Sequence, residues 1–329
     1  MHSKLYIPAR SATLPYTVDI TPESAGWTES SLQVIELDDN PRAELTTGGT
    51  EVMILPLAGG GTVECDGETF EVAPRASVFD GPSDMVYLGI GQTYVIAGEG
   101  RFAICGARAK TSFPNRRVAA ADVSVELRGT GNCSRQVHNF GTAGVFEADS
   151  LIACEVITPG GNWSSYPAHK HDENTPTETE LEEIYYFEFS SGPSTEGTAS
   201  RGFGYHRVYG TPDRPIEVLE EVRTGDVVLV PHGYHGPSVA APGYHMYYLN
   251  VMAGPGAERA WKIVDDPEHA WLRGTWEDQA VDPRLPLHNP ITGAAGGRPI
   301  AGSAGGRPIT GSAGGRPIAG SASGRETGA

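Results

Sequence analysis

From Glu51 onward the chain is cut into short apolar runs closed by glycine or proline, and almost nowhere does it show the spacing of an amphipathic helix. Val52–Leu57 runs into Gly59-Gly60-Gly61, Thr62–Cys65 follows, and Asp66-Gly67 is a strong hairpin turn before Thr69–Val72. Ser77–Phe79, Met85–Leu88 and Thr93–Ala97 continue the series. Further strands are expected at Leu151–Val156, Gly204–Tyr209 and Tyr244–Met252. Many short strands with this punctuation predict an all-β protein built as a sandwich or barrel.

Within the second half, His169 and His171 alternate around Lys170. Residues two apart on a strand point to one face, so both imidazoles aim into one pocket. Glu182 and Glu183 open the next strand, Glu-Ile-Tyr-Tyr-Phe. Thr224-Gly225-Asp226 then turns into the buried run Val227–Val230, and His235 sits just beyond Pro231-His232-Gly233. Imidazoles and a carboxylate converging from neighbouring strands predict a mixed N/O site for one divalent transition metal, zinc first, with manganese or iron as alternatives.

At 329 residues the chain is long enough for two cores. Its 24 Lys and Arg against 41 Asp and Glu leave a net charge of −17, which repels phosphate backbones and anionic lipid and so argues against nucleic-acid and membrane partners. No run is long enough to span a bilayer, and the start, Met1–Pro8, has no apolar core of a signal peptide. Cys65, Cys105, Cys133 and Cys154 are widely spaced with no Cys-x-x-Cys, so they are expected as reduced thiols of a cytoplasmic protein.

The first half reads as a second copy of the barrel, yet it holds no histidine between His2 and His138. Residues 1–125 are therefore expected to form a barrel without metal ligands, serving structure or dimer contact within a homo-oligomer. Residues 126–287 would form the metal-binding barrel, closed by short helices around Trp261, Trp271 and Trp276. From 288 to 329 Gly-Gly-Arg-Pro-Ile recurs at Gly296, Gly305 and Gly314 with no apolar face to bury, and this tail is expected to be disordered.

Four longer runs carry a family resemblance: Arg135-Gln136-Val137-His138-Asn139, Thr158 through Asp172, Leu181-Glu182-Glu183-Ile184-Tyr185-Tyr186, and Val230 through Pro237. Over roughly residues 5–285 the chain resembles the 5-deoxy-glucuronate isomerases of bacterial myo-inositol catabolism, which are bicupins related to uronate ketol-isomerases. The resemblance implies two tandem double-stranded β-helix (jelly-roll) barrels. It also implies that His169, His171, Glu183 and His235 are the metal ligands. His232 competes with His235 for the last position but follows Pro231 inside the turn, and Glu183 rather than Glu182 abuts the Ile-Tyr-Tyr strand. Two departures from the general cupin pattern stand out: a long gap between His171 and Glu183, and no asparagine after His235.

The implied reaction is aldose–ketose isomerisation of 5-deoxy-D-glucuronate to 5-dehydro-2-deoxy-D-gluconate. A metal would stabilise an enediolate, and a base would move a proton between adjacent carbons unless a hydride shifts instead. The substrate carboxylate needs a cation, with Arg207 first and Lys170 and Arg135 as alternates. Proton-transfer candidates are His232, Tyr185, His245 and Glu182. Tyr185 and Phe187 share the strand parity of Glu183, and Tyr248 and Asn250 are also expected to face inward. Rival readings are a metal-containing cupin that binds a sugar acid without turnover, and a cupin dioxygenase that needs ferrous iron and oxygen.

Overall fold

The computed structural model describes residues 3–287 apart from 193, 196, 197 and 200, so the repeat tail lies outside the described residues. It is built from two β-barrels, each with two facing layers. In the first, Thr50–Cys65 and Thr93–Arg108 pair along nearly their whole length and serve both layers. One half of this pair is flanked by Ser30–Glu36 and Met85–Leu88, the other by Arg42–Thr46 and Glu68–Arg75. The fold between the layers falls where Gly59-Gly60-Gly61 meets Gly98 and Gly100. A Cβ on Gly59 or Gly61 would run into the carbonyl oxygens of Glu99 or Ala97, so only glycine admits this crossing.

The second barrel faces a seven-stranded sheet against a six-stranded one. The first runs Tyr6–Ile7, Val227–Val230, Glu182–Phe189, Met246–Ala253, Ile152–Thr158, Arg135–Gly141 and Ser124–Arg128. The second contains Glu217–Val222, Gly204–Tyr209, Tyr234–Ala240, His169–Lys170 and Val264–Asp265, with Trp163–Ser164 also on Tyr234–Ala240. Ala270–Asp278 forms the expected short helix of the closing segment. One boundary differs from the division drawn from the sequence. Tyr6–Ile7 pairs with Val227–Val228 and so belongs to the second barrel, tied there by Tyr6 Oη donating to Asp226 at 2.9 Å.

The seven-stranded sheet packs its outer face on the first barrel. Ile184, Tyr186, Tyr247 and Leu249 lie in one buried cluster with Leu32, Met53 and Leu55. On the same strands Tyr185, Phe187 and Tyr248 face the barrel interior. Burial on both faces is why these strands read as continuous apolar runs instead of alternating with polar residues. Carboxylates bolt the seam. Glu51 accepts from the backbone N–H groups of Asp149, Ser150 and Leu151 at 2.7–2.9 Å. Arg75 reaches Glu155 of the second barrel at 2.6 Å, and burial there is outweighed by the Arg75 charge, which holds the Glu155 carboxyl down at about 2. The interior of the first barrel is filled by apolar side chains such as Ile54, Val63, Ile96 and Phe102.

Candidate metal centre

His169 sits on a two-residue strand directly opposite His235 in antiparallel register, with Asp265 on its other side. His171 follows at the strand end. Glu183 arrives from the facing sheet at the start of Glu182–Phe189. The local chain path is tightly held: Ser165 takes a positive φ of 47°, and Gly236 at φ 96° passes so close to the Ser165 carbonyl that no side chain fits. Ligand nitrogens of His169, His171 and His235 all lie within 4.8 Å of one another, and among the described residues no other cluster of His, Cys, Asp and Glu meets that geometry.

Glu183 Oε2 is 3.0 Å from Nε2 of both His171 and His235. His235 Nδ1 lies 3.2 Å from the Gly233 carbonyl and His169 Nδ1 3.4 Å from that of Pro167. A carbonyl only accepts, so Nδ1 carries the proton and Nε2 keeps its lone pair toward the cluster. Burial, with the neighbouring His235 and His171, pushes His169 well below its ordinary value, favouring the neutral ligand form. Burial alone would raise Glu183, but the adjoining His235 and the hydrogen bond of His171 hold it well below the carboxylate range. Glu183 Oε1 and His235 Nε2 are buried with no hydrogen-bond partner. Three imidazoles, one ionised carboxylate and two buried ligand atoms without a hydrogen-bond partner fit a divalent transition metal.

Beyond the cluster runs a row of buried hydroxyls. Ser165 Oγ is 3.0 Å from Tyr185 Oη and 3.4 Å from Tyr248 Oη, and the Tyr185 ring lies 6.0 Å from that of His235. Burial, then the Glu183 charge, raises the Tyr185 phenol well above its ordinary value, so it stays protonated. Asn250 is inward and buried, as strand parity predicts.

Several residues singled out from the sequence lie elsewhere. Arg207 points out of its sheet, with 43% of its side chain exposed, against Glu217 and the Tyr209 ring. Its neighbour His206 takes the inward position that the sequence reading overlooked. His206 Nδ1 lies 2.7 Å from Ser238 Oγ, its Nε2 has no partner, and burial followed by the nearby His235 lowers it to about 3. The signal was parity with Gly204 and Val208, masked by tyrosines on the other face. Lys170 is bound by Asp172 at 2.7 Å and Glu178 at 2.9 Å, on the side of the strand away from the two histidines. His232 lies by Arg214 and Asp172. His245 accepts from the Gly160 N–H beyond the Phe189 end of the strand Glu182–Phe189. Glu182 faces the first barrel, accepting from the backbone N–H groups of Thr28, Glu29 and Ser30 at 2.7–2.9 Å. Arg135 does line the interior, near Tyr248.

Residues 5–272 match the model of the KduI/IolB family. A protein of Geobacillus kaustophilus named 5-deoxy-glucuronate isomerase is 41% identical over 276 residues, covering 82% of this chain and 95% of that protein. One of the same name from Bacillus subtilis strain 168 is 38% identical over 77% of this chain and 91% of its own length. The crystal structure of an IolB-like protein from Salmonella typhimurium LT2 superposes with a TM-score of 0.74 at 34% identity, over 82% of this chain and 99% of that one. Oxalate decarboxylase of Lactobacillus farciminis, at 11% identity and a TM-score of 0.55 over 80% of this chain and 89% of that one, shares the bicupin fold.

Proposed function

Because this chain belongs to the KduI/IolB family, we propose that it is a metal-dependent aldose–ketose isomerase converting 5-deoxy-D-glucuronate to 5-dehydro-2-deoxy-D-gluconate in myo-inositol catabolism. That it is an isomerase follows from relatives of that activity which it matches over most of their length. The substrate is the one in their printed name. The observation that carries the metal dependence is the meeting of His169, His171 and His235 with Glu183, two of whose ligand atoms have no other partner.

His169, His171, Glu183 and His235 would hold the ion, and a divalent metal there would supply Lewis acidity toward the substrate carbonyl. The chain provides the rest. The carbonyls of Pro167 and Gly233 fix the imidazole rings. Tyr185 Oη, with Ser165 Oγ as its relay, is the group in the cavity that can hold or pass a proton, and Tyr248 extends the relay. The neutral imidazole of His206 is the second candidate. Apolar walls from Val208, Val228 and Phe187 exclude bulk water. Four free, buried thiols suit a reducing cytoplasm.

Proton NMR in deuterated water tests this reading. Purified protein should form the ketose from 5-deoxy-glucuronate, lose the activity on chelation and regain it with zinc, manganese or iron. Deuterium at the receiving carbon would identify the enediolate route. No turnover with any metal restored would remove the isomerase reading.

A further inference from the structure

Two arginines stand opposite one another inside the second barrel. Arg135 and Arg128 are register partners on the antiparallel strands Arg135–Gly141 and Ser124–Arg128. Like charges in that relation repel, and burial makes the repulsion costlier. Among the described residues only one carboxylate answers them: Glu126 binds Arg128 through two hydrogen bonds of 2.8 and 2.9 Å. Arg135 makes no ion pair among the described residues, and its one hydrogen bond there is Nη1 donating to the Cys133 carbonyl at 3.1 Å. A buried guanidinium with most of its fork unused is a poor way to stabilise a fold.

The surroundings point to an acceptor-rich ligand. Arg128 keeps 32% of its side-chain surface accessible. Asn250 Nδ2 is buried in the same interior without an acceptor, and Trp261, whose ring carries Arg128 on its face, has its Nε1–H buried without one. Trp276 covers Arg135 in the same way at 5.6 Å, so the cations are held in place by aromatic walls that offer no competing anion. From Arg135 the polar lining continues through Tyr248 and Ser165 to Tyr185 and the imidazole cluster. A linear sugar acid carries its carbonyl and its carboxylate at opposite ends, matching a site with a metal cluster at one end and a free guanidinium at the other.

We propose that Arg135 is the receptor for the substrate carboxylate and sets the preference of this enzyme for sugar acids over neutral sugars, with Arg128 held by Glu126 as its electrostatic neighbour. The proposal deepens the isomerase reading and rests on it for the identity of the acid. Its planar fork suits a carboxylate bidentately, which a lysine does not reproduce.

The test compares 5-deoxy-glucuronate with its methyl ester in wild type, R135M and R135K, all metal-loaded. Wild type is expected to prefer the acid by roughly 100-fold in kcat/KM, the range of a charge-assisted pair. That ratio should fall close to one in R135M and about tenfold in R135K, mainly through KM. A purely structural role would depress acid and ester alike, so an unchanged ratio in whichever variant folds overturns the proposal. Calorimetric titration with D-gluconate separates this from the isomerase reading, because it needs no turnover. Wild type should bind gluconate and not D-glucitol, and R135M should lose gluconate binding. Gluconate binding that survives in R135M, or wild type binding both ligands equally, refutes the carboxylate receptor even if isomerisation is observed.

Discussion

His169 and His235 are direct cross-strand partners whose ring centroids lie 4.5 Å apart. Backbone pairing therefore brings two of the ligands together before any ion binds. The third imidazole, His171, needs only the continuation of the same strand, while Glu183 must come across the barrel from the other sheet. Metal affinity thus depends on the two sheets being held at the right separation.

Glu182 and Glu183 are adjacent and should fail in opposite ways. Glu183→Gln removes an ionised ligand, and metal affinity is expected to drop more than about 100-fold, with activity lost and the thermal midpoint of the metal-free protein little changed. Glu182→Ala leaves three backbone donors of Thr28–Ser30 without their acceptor, and should lower unfolding free energy by about 1–3 kcal/mol with metal content intact. Metal analysis and urea unfolding on the two variants would decide, and a Glu182→Ala protein that lost its metal at full stability would contradict this assignment.

Arg207→Ala should leave kcat/KM for the uronate within about twofold of wild type, because an exposed cation beside Glu217 contributes little and faces away from the interior. Steady-state kinetics suffices as the check. A tenfold rise in KM would return Arg207 to the site.

Ser165→Ala removes the hydroxyl that joins Tyr185 to Tyr248. The expected result is a kcat reduced by roughly 100-fold, the lower end of what a positioned proton-transfer group contributes, with metal content unchanged. Solvent-deuterium incorporation should slow in parallel. Unaltered kcat would exclude the relay.

Acid should destabilise the metal-free protein from near pH 6.5 downward. His206 is held at about 3 against an ordinary 6.5, so between those values the unfolded chain binds a proton that the folded chain refuses. Stability then falls by about 1.4 kcal/mol per pH unit for each such group. Glu155, held at about 2, contributes stability that is complete above its ordinary value of 4.5 and is lost as the pH drops toward 2. Both effects have the same sign. Urea midpoints at pH 7, 6, 5 and 4 should decline more steeply in wild type than in His206→Gln, and equal slopes would show that His206 is not buried neutral.

Strand parity made much of the site legible. His169 with His171, Glu183 with Tyr185 and Phe187, and Tyr248 with Asn250 all fall on the faces that a period of two assigns. The same rule was ambiguous for Gly204–Tyr209, where Val208 shares a face with His206 but tyrosines occupy the other, and a cation was sought there where an imidazole belongs. The role of Glu182 was not readable at all, since its partners are backbone groups some 150 positions earlier in the chain. Nor was the placement of Tyr6–Ile7, because two residues of edge strand carry no pattern that names their sheet.

The wall shared by the two barrels has a consequence for how such a chain can change. Tyr186, Tyr247 and Leu249 of the barrel that carries the imidazole cluster would be laid bare without the other barrel. A shortened gene encoding the working barrel alone would yield a broad sticky plateau directly behind the ligand-bearing strands. A twin that covers such a wall is not spare cargo that deletion can shed.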